Sequence, residues 1–164
     1  MADLTYDGMM RVAFVPTIAN IAAPTVAELG AGIDLTPRLA PDGLSRSADT
    51  GSVDTTKMNS TANTQKAGRR SFTASVTYVR GTDEPATEVE EALTYRAAGF
   101  LVIRSNVTWE TPWTAAQVVE VYPVEVGEAN PGAPGPDTQQ SVEVPLLVTD
   151  TPRTITSPAT VAAA

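Results

Sequence analysis

The chain has 164 residues, a net charge of −8 at pH 7, and neither cysteine nor histidine. This composition excludes disulfides, thiolate metal sites and the histidine-based catalytic triads. No apolar run approaches the ~20 residues that a membrane-spanning helix needs, and the acidic start MADLTYDGMM lacks the positive charge of a secretory signal. We therefore expect one cytosolically made domain with no enzymatic activity, cofactor, metal or membrane partner.

The first elements of the chain are short. MMRVAFVPTIA indicates an opening strand that ends at Pro16, because its residues are apolar and β-rich up to that proline. The next pattern, APTVAELGAGIDLTPRL, predicts a helical turn at residues 25–29 and a strand near residues 33–36.

A long polar segment follows at residues 40–68 and opens with the turn signal PDG. Within residues 54–70, Met58 is the one aliphatic or thioether side chain larger than alanine. We interpret residues 40–68 as a long inter-strand loop. Loops of this length are usually functional or disordered, so both disorder and ordering against a partner remain open.

The segment RRSFTASVTYVRG is the clearest strand, since apolar and polar side chains alternate along it. The predicted core face consists of Phe72, Ala74, Val76 and Tyr78. The predicted wet face consists of Ser71, Thr73, Ser75 and Thr77. One buried and one solvated face are typical of an antiparallel sheet.

TDEPATEVEEALTYRAAGF predicts one helix at about residues 84–97, with Pro85 at its first position and Gly99 as its stop. FLVIRSNVTW, QVVEVYPVEV and SVEVPLLVTD predict further strands, and Pro123 indicates an edge or a bulge in the second. NPGAPGP is a loop, and residues 151–164 are predicted to form a C-terminal arm or tail.

These elements predict an all-β fold with one flanking α-helix, an antiparallel β-sandwich or barrel in a single domain over residues 1–150. Two side-chain clusters raise the question of chemistry. Glu88, Glu90 and Glu91 are better explained as a solvated helix face than as an acid/base pair or cation site. Trp109 and Trp113 are better explained as packing than as a platform for a sugar.

Two segments resemble the major tail protein (tail tube protein) of long-tailed, non-contractile bacteriophages, in wording closest to phages of actinobacteria. They are TVAELGAGIDLTPRLAPDGLSRSADTGSVDTTKMNSTANTQKAGRRSFTASVTYVRGTDEP and EVEEALTYRAAGFLVIR. The resemblance covers residues 10–150. It rests on the order of the elements and on the amino-acid sequences of these two segments, and no catalytic motif supports it. It implies a structural virion protein with a β-sandwich of the phage tail tube type.

The resemblance also implies assembly. Subunits would form homohexameric rings that stack head-to-tail into a hollow tube, through which DNA passes during ejection without specific binding. Other partners would be the tape measure, terminator and initiator or distal tail proteins. The location would be the virion tail, assembled in the bacterial host cytoplasm.

In that family the long loop between early strands reaches the next ring, and here it maps to residues 42–70. The implied stacking residues are Arg46, Asp49, Asp54, Lys57, Met58, Lys66, Arg69 and Arg70. An acidic lumen would repel phosphate, and the strand residues Glu120, Glu125 and Glu143 are the candidates to line it. The wet face of RRSFTASVTYVRG is an equal candidate.

Three other functions remain open at this point. A tail terminator would stop at one ring, and a capsid decoration protein would bind a shell. A small carbohydrate-binding β-module would use the two tryptophans.

Overall fold

The computed structural model describes residues 3–164. Over these residues it contains nine strands, two α-helices and one 3-10 turn. The strands are β1 Met10–Val15, β2 Ile33–Asp34, β3 Leu39–Asp54, β4 Gln65–Val79, β5 Ala98–Ser105, β6 Val118–Val126, β7 Asn130–Pro131, β8 Ser141–Val148 and β9 Ala159–Thr160. The helices are α1 Val26–Gly30 and α2 Ala86–Ala92, and the 3-10 turn is Thr36–Arg38.

The strands pair antiparallel in the order β2-β1-β5-β6-β8-β4-β3, with β7 added to β8 and β9 to β6. The predicted all-β class with one flanking helix is confirmed. No helix within residues 3–164 has the length and apolar character to cross a membrane.

The main core lies on one face of this sheet, beneath α2. Strands β1, β5, β6, β8 and β4 all contribute buried side chains to it, and α2 adds Val89 while Leu93 follows at its end. Because β1 and β4 are far apart in the strand order yet share one cluster, the sheet curls around this core. The predicted core face of β4 is confirmed for Ala74, Val76 and Tyr78, which are buried, whereas Phe72 is half-buried and lies outside this core.

A second core covers the opposite face of β1, β5 and β6. Leu29 of α1, Trp113 and the C-terminal residues Ala159 and Val161 pack there. Both faces of these three strands are therefore buried, which explains why their sequences are almost continuously apolar rather than alternating.

Helix α1 begins at a capping box. The Glu28 backbone N–H donates to Thr25 Oγ1 at 3.2 Å, and the Thr25 N–H donates to Glu28 Oε2 at 2.8 Å. The backbone N–H groups of Thr25 and Ala19 both donate to the Glu28 carboxylate, and they hold its pKa below the usual value. The predicted helical turn at residues 25–29 is confirmed, and the following strand is shorter than predicted.

Helix α2 is shorter than the predicted 84–97. It runs from Ala86 to Ala92 with Pro85 as N-cap rather than first helical residue, and Arg96 adopts a left-handed φ of 66°. Gly99 lies in β5, not at the helix end. A Cβ on Gly99 would lie 2.5 Å from Phe14 Cζ, so this glycine permits close strand packing.

The C-terminal residues are part of the core, which contradicts the predicted arm at 151–164. Ala159 pairs with Val119 of β6, and Arg153 bridges to Val121. Ala159 and Val161 are 0% and 2% exposed. Small side chains fit between α1 and β6, so burial here requires no long apolar pattern.

Strand β6 is continuous and central, and Pro123 neither breaks it nor places it at an edge. Pro123 lies where β6 changes neighbours: Val124 pairs with Val148 of β8, whereas Val121 pairs with Arg153. The backbone N–H that Pro123 lacks therefore falls where β6 changes from one neighbouring strand to another, so its absence costs little stability.

Candidate assembly surfaces

The polar segment predicted as a loop is a β-ribbon. Strands β3 and β4 pair from Leu44 and Val76 out to Asp54 and Gln65, and residues 55–64 form the turn. Strand β8 pairs with β4 only as far as Thr73. Residues 48–72, called the ribbon below, therefore pair only with each other within the described chain.

Short polar side chains hold the ribbon together. The hydroxyls of Ser47 and Thr73 lie 2.6 Å apart at its base, and Thr55 Oγ1 donates to Thr64 Oγ1 at 3.1 Å near its turn. A register shift between Thr50 and Ser52 is accommodated at Gly51. Cross-strand hydrogen bonding replaces the missing apolar face.

A charged pair clamps the base of the ribbon to β6. Arg46 donates through Nε to Glu120 Oε1 at 3.2 Å, and its Nη2 lies 3.0 Å from Glu120 Oε2. The Tyr122 hydroxyl donates to the same carboxylate at 3.1 Å. Burial, with a smaller contribution from the Glu120 charge, raises the pKa of Tyr122 to about 12.

This clamp corrects two site predictions. Glu120 is 7% exposed and lies on the core face with Tyr122, so it presents no free carboxylate to a lumen. Arg46 is engaged within its own subunit rather than free for a neighbouring ring.

The other predicted stacking residues all lie on the ribbon and are exposed. They are Asp49, Asp54, Lys57, Met58, Lys66, Arg69 and Arg70. Met58, in the turn, is the most exposed of the large apolar side chains described, at 106%. Hydrogen bonds from the Thr56 side chain and from its backbone N–H, which lies 2.8 Å from Asp54 Oδ1, lower the pKa of Asp54. The ribbon thus projects charge and two apolar side chains, Val53 and Met58, away from the body.

The two remaining lumen candidates share one surface. Leu147 pairs with both Thr73 and Glu125, and Glu143 pairs with Thr77. Directly paired residues lie on the same side of a sheet. The structure therefore brings together the wet face of β4, Glu125 and Glu143 on the side opposite the main core, here called the outer face.

Strand β3 forms an open edge of the sheet. It pairs with β4 on one side, and no other described strand pairs with its second side. A 16-residue edge of unpaired backbone groups is a template for strand addition by another chain.

The tryptophan pair does not form a sugar platform. Trp113 is 8% exposed, with the guanidinium groups of Arg11 and Arg104 at 5.0 and 4.9 Å from its ring centroid. The packing interpretation is confirmed for Trp113.

Arg104 is the residue that sequence reasoning missed. It is fully buried and donates to the backbone carbonyls of Thr108, Thr111 and Pro112 and to Gln117 Oε1. Burial lowers the pKa of its guanidinium. The available signal was an arginine directly after the apolar run FLVI.

The helix glutamates face solvent or pair with an arginine. Glu88 and Glu91 are exposed, while Glu90 Oε1 lies 2.8 Å from Arg80 Nε. Within residues 3–164, no group of three or more acidic side chains is arranged to hold a metal ion.

Comparison with known proteins is consistent with an assembling β-protein. The sequence model of a family described as phage tail tube protein matches residues 1–163. Among solved structures, the fold is similar to a chain in the six-fold symmetrised cryo-electron microscopy structure of the anti-feeding prophage baseplate. That match has a TM-score of 0.51 and 14% identity, and it covers 92% of this chain and 95% of the other. Among curated proteins, none matches the chain significantly.

Proposed function

We propose, because the chain belongs to the phage tail tube protein family, that it is a structural subunit of the virion tail which forms homohexameric rings stacked head-to-tail into a tube. The family supports a structural rather than an enzymatic role. The sequence resemblance to proteins of actinobacterial phages favours a long, non-contractile tail.

The ribbon is the observation that carries this proposal. It extends beyond the sheet and is exposed along most of its length. In a subunit that functions alone, such a projection gives no core burial to offset the entropy of ordering it. In a stack it offers each ring a contact with the next, and a head-to-tail contact propagates instead of closing.

The outer face is the surface that we assign to the lumen. It combines hydroxyl side chains with the carboxylates of Glu125 and Glu143. Negative charge and neutral hydroxyls would repel or ignore the phosphate backbone, so DNA would pass during ejection without specific binding.

The open edge of β3 is the surface that we assign to lateral contact within a ring. Strand addition would satisfy its unpaired backbone groups. The further partners in this proposal are the tape measure, terminator and initiator or distal tail proteins, and assembly takes place in the bacterial host cytoplasm.

Replacing the ribbon tests the proposal. Asp49 and Ser71 are directly paired, so a two-residue Asn-Gly turn in place of residues 50–70 closes the hairpin without disturbing Arg46. We expect a folded subunit, with an unchanged circular dichroism spectrum, that no longer stacks in electron micrographs. Stacked tubes formed by this variant would contradict the proposed role of the ribbon.

A further inference from the structure

The two ends of the sheet differ in charge. Strand β4 runs from the ribbon turn to the opposite end, where β6 also ends and β5 and β8 begin. We call residues 80–97 and 127–140, which connect the strands there, the far end. They contain seven carboxylates and two arginines, whereas ribbon residues 48–70 contain four basic and two acidic side chains.

A groove of about 370 Å³ opens at the far end. Ala129, Pro131 and Tyr95, which is 60% exposed, supply its apolar surface, whereas Leu93 lines it but is only 4% exposed. Glu128 lines it, is exposed, and forms no ion pair within the described residues. Arg80 also lines the groove, where it is paired with Glu90. The groove is therefore partly apolar, and the charge in it that lacks an ion pair within the described residues is the carboxylate of Glu128.

We propose that this groove receives the ribbon turn of a second copy, an inference that rests on the proposed stacking and identifies its receptor. Met58 would lie against Tyr95 and Ala129, because a flexible thioether adapts to an irregular apolar surface and contacts aromatic rings favourably. Lys57 would lie near Glu128. Charge complementarity between the ribbon and the far end orients the contact.

The subunit cannot fill its own groove. The 15 residues of β4 separate the ribbon turn from the groove, and an extended strand of that length spans roughly 45 Å. A copy displaced along the strand direction brings the turn of one subunit to the groove of the next. The same length sets the scale of the axial repeat, which is on the order of 45 Å if the strands lie along the tube axis.

Cysteine crosslinking tests this contact, because the natural chain has no cysteine. The test variant is Met58→Cys with Thr94→Cys, which places one thiol in the turn and one at the groove. The matched control is Met58→Cys with Thr114→Cys, since Thr114 is an exposed threonine in the loop between β5 and β6, at the ribbon end. Both are assembled, imaged, treated with a short bis-maleimide and analysed on a denaturing gel.

We expect the test variant to give a ladder of trimers and longer chains, because each subunit carries one donor and one receptor. The control should give dimers at most. Tubes without a ladder in the test variant would overturn the groove assignment and leave the tube proposal standing. Absence of tubes and ladder alike, with wild-type protein also failing to stack, would overturn both.

Discussion

Single residues connect the polar surfaces of this protein to its core. Arg104 and the Arg46–Glu120 pair both bring charge below the surface, and each is held by several hydrogen bonds. Removing one partner from such an arrangement leaves the others buried and unsatisfied, which costs more than the hydrogen bond itself contributes.

Arg104→Ala should destabilise the subunit by roughly 3 kcal/mol, because three backbone carbonyls of the loop after β5 each lose a hydrogen bond from a charged donor. Urea denaturation of the unassembled subunit measures this change. The control, Arg69→Ala on the exposed ribbon, should stay within about 0.5 kcal/mol. Equal effects of the two substitutions would mean that the loop does not depend on Arg104.

Tyr122 should make stability depend on alkaline pH. Its pKa in the folded state is raised to about 12 from an unfolded value of 10.0, so the neutral phenol is favoured by folding. That contribution is complete below pH 10 and is lost as the pH rises toward 12. Tyr122→Phe should flatten the fall in urea midpoint over this window, although Tyr78, whose pKa is also raised, will retain part of it. An unchanged slope would contradict the assignment.

At the scale of elements, the sequence predicts secondary structure best where burial imposes a periodic pattern of apolar residues. The alternation in β4 reports one wet and one buried face, and the capping pair of Thr25 and Glu28 marks the start of α1. The bounds of α2 were wrong because the helical pattern continues through residues that turn into β5. Gly99 is there for packing against Phe14, a contact distant in sequence.

The ribbon was mistaken for a loop for a related reason. Its stability comes from cross-strand hydroxyl and backbone pairs, so neither face requires an apolar period. The predicted stacking and lumen residues were proposed from a family resemblance, and sequence gave no sign that Arg46 and Glu120 would pair across the fold. Such a pairing depends on register between distant strands.

The basic side chains of the ribbon should govern stacking through charge. Replacing Lys66, Arg69 and Arg70 by glutamate makes the ribbon acidic, and we expect a lower yield of stacked tubes, measured by pelleting. The loss should be larger at low salt, because exposed charges are screened at higher ionic strength. An unchanged yield at low salt would rule out the charge complementarity.

At the scale of the whole molecule, the subunit separates folding from assembly. Two cores bury both faces of β1, β5 and β6, while the ribbon, the outer face and the edge of β3 stay open. The ribbon suits contact with a neighbour along a tube and the edge of β3 suits contact with a neighbour beside it, which leaves the outer face for the lumen. Family membership is consistent with that arrangement.

Negative-stain electron microscopy of the purified wild-type chain, at dilute and high concentration, tests the central claim most directly. We expect hollow tubes of uniform diameter with sixfold end views. Single closed rings that never stack, at any concentration, would contradict the account and indicate a terminator instead.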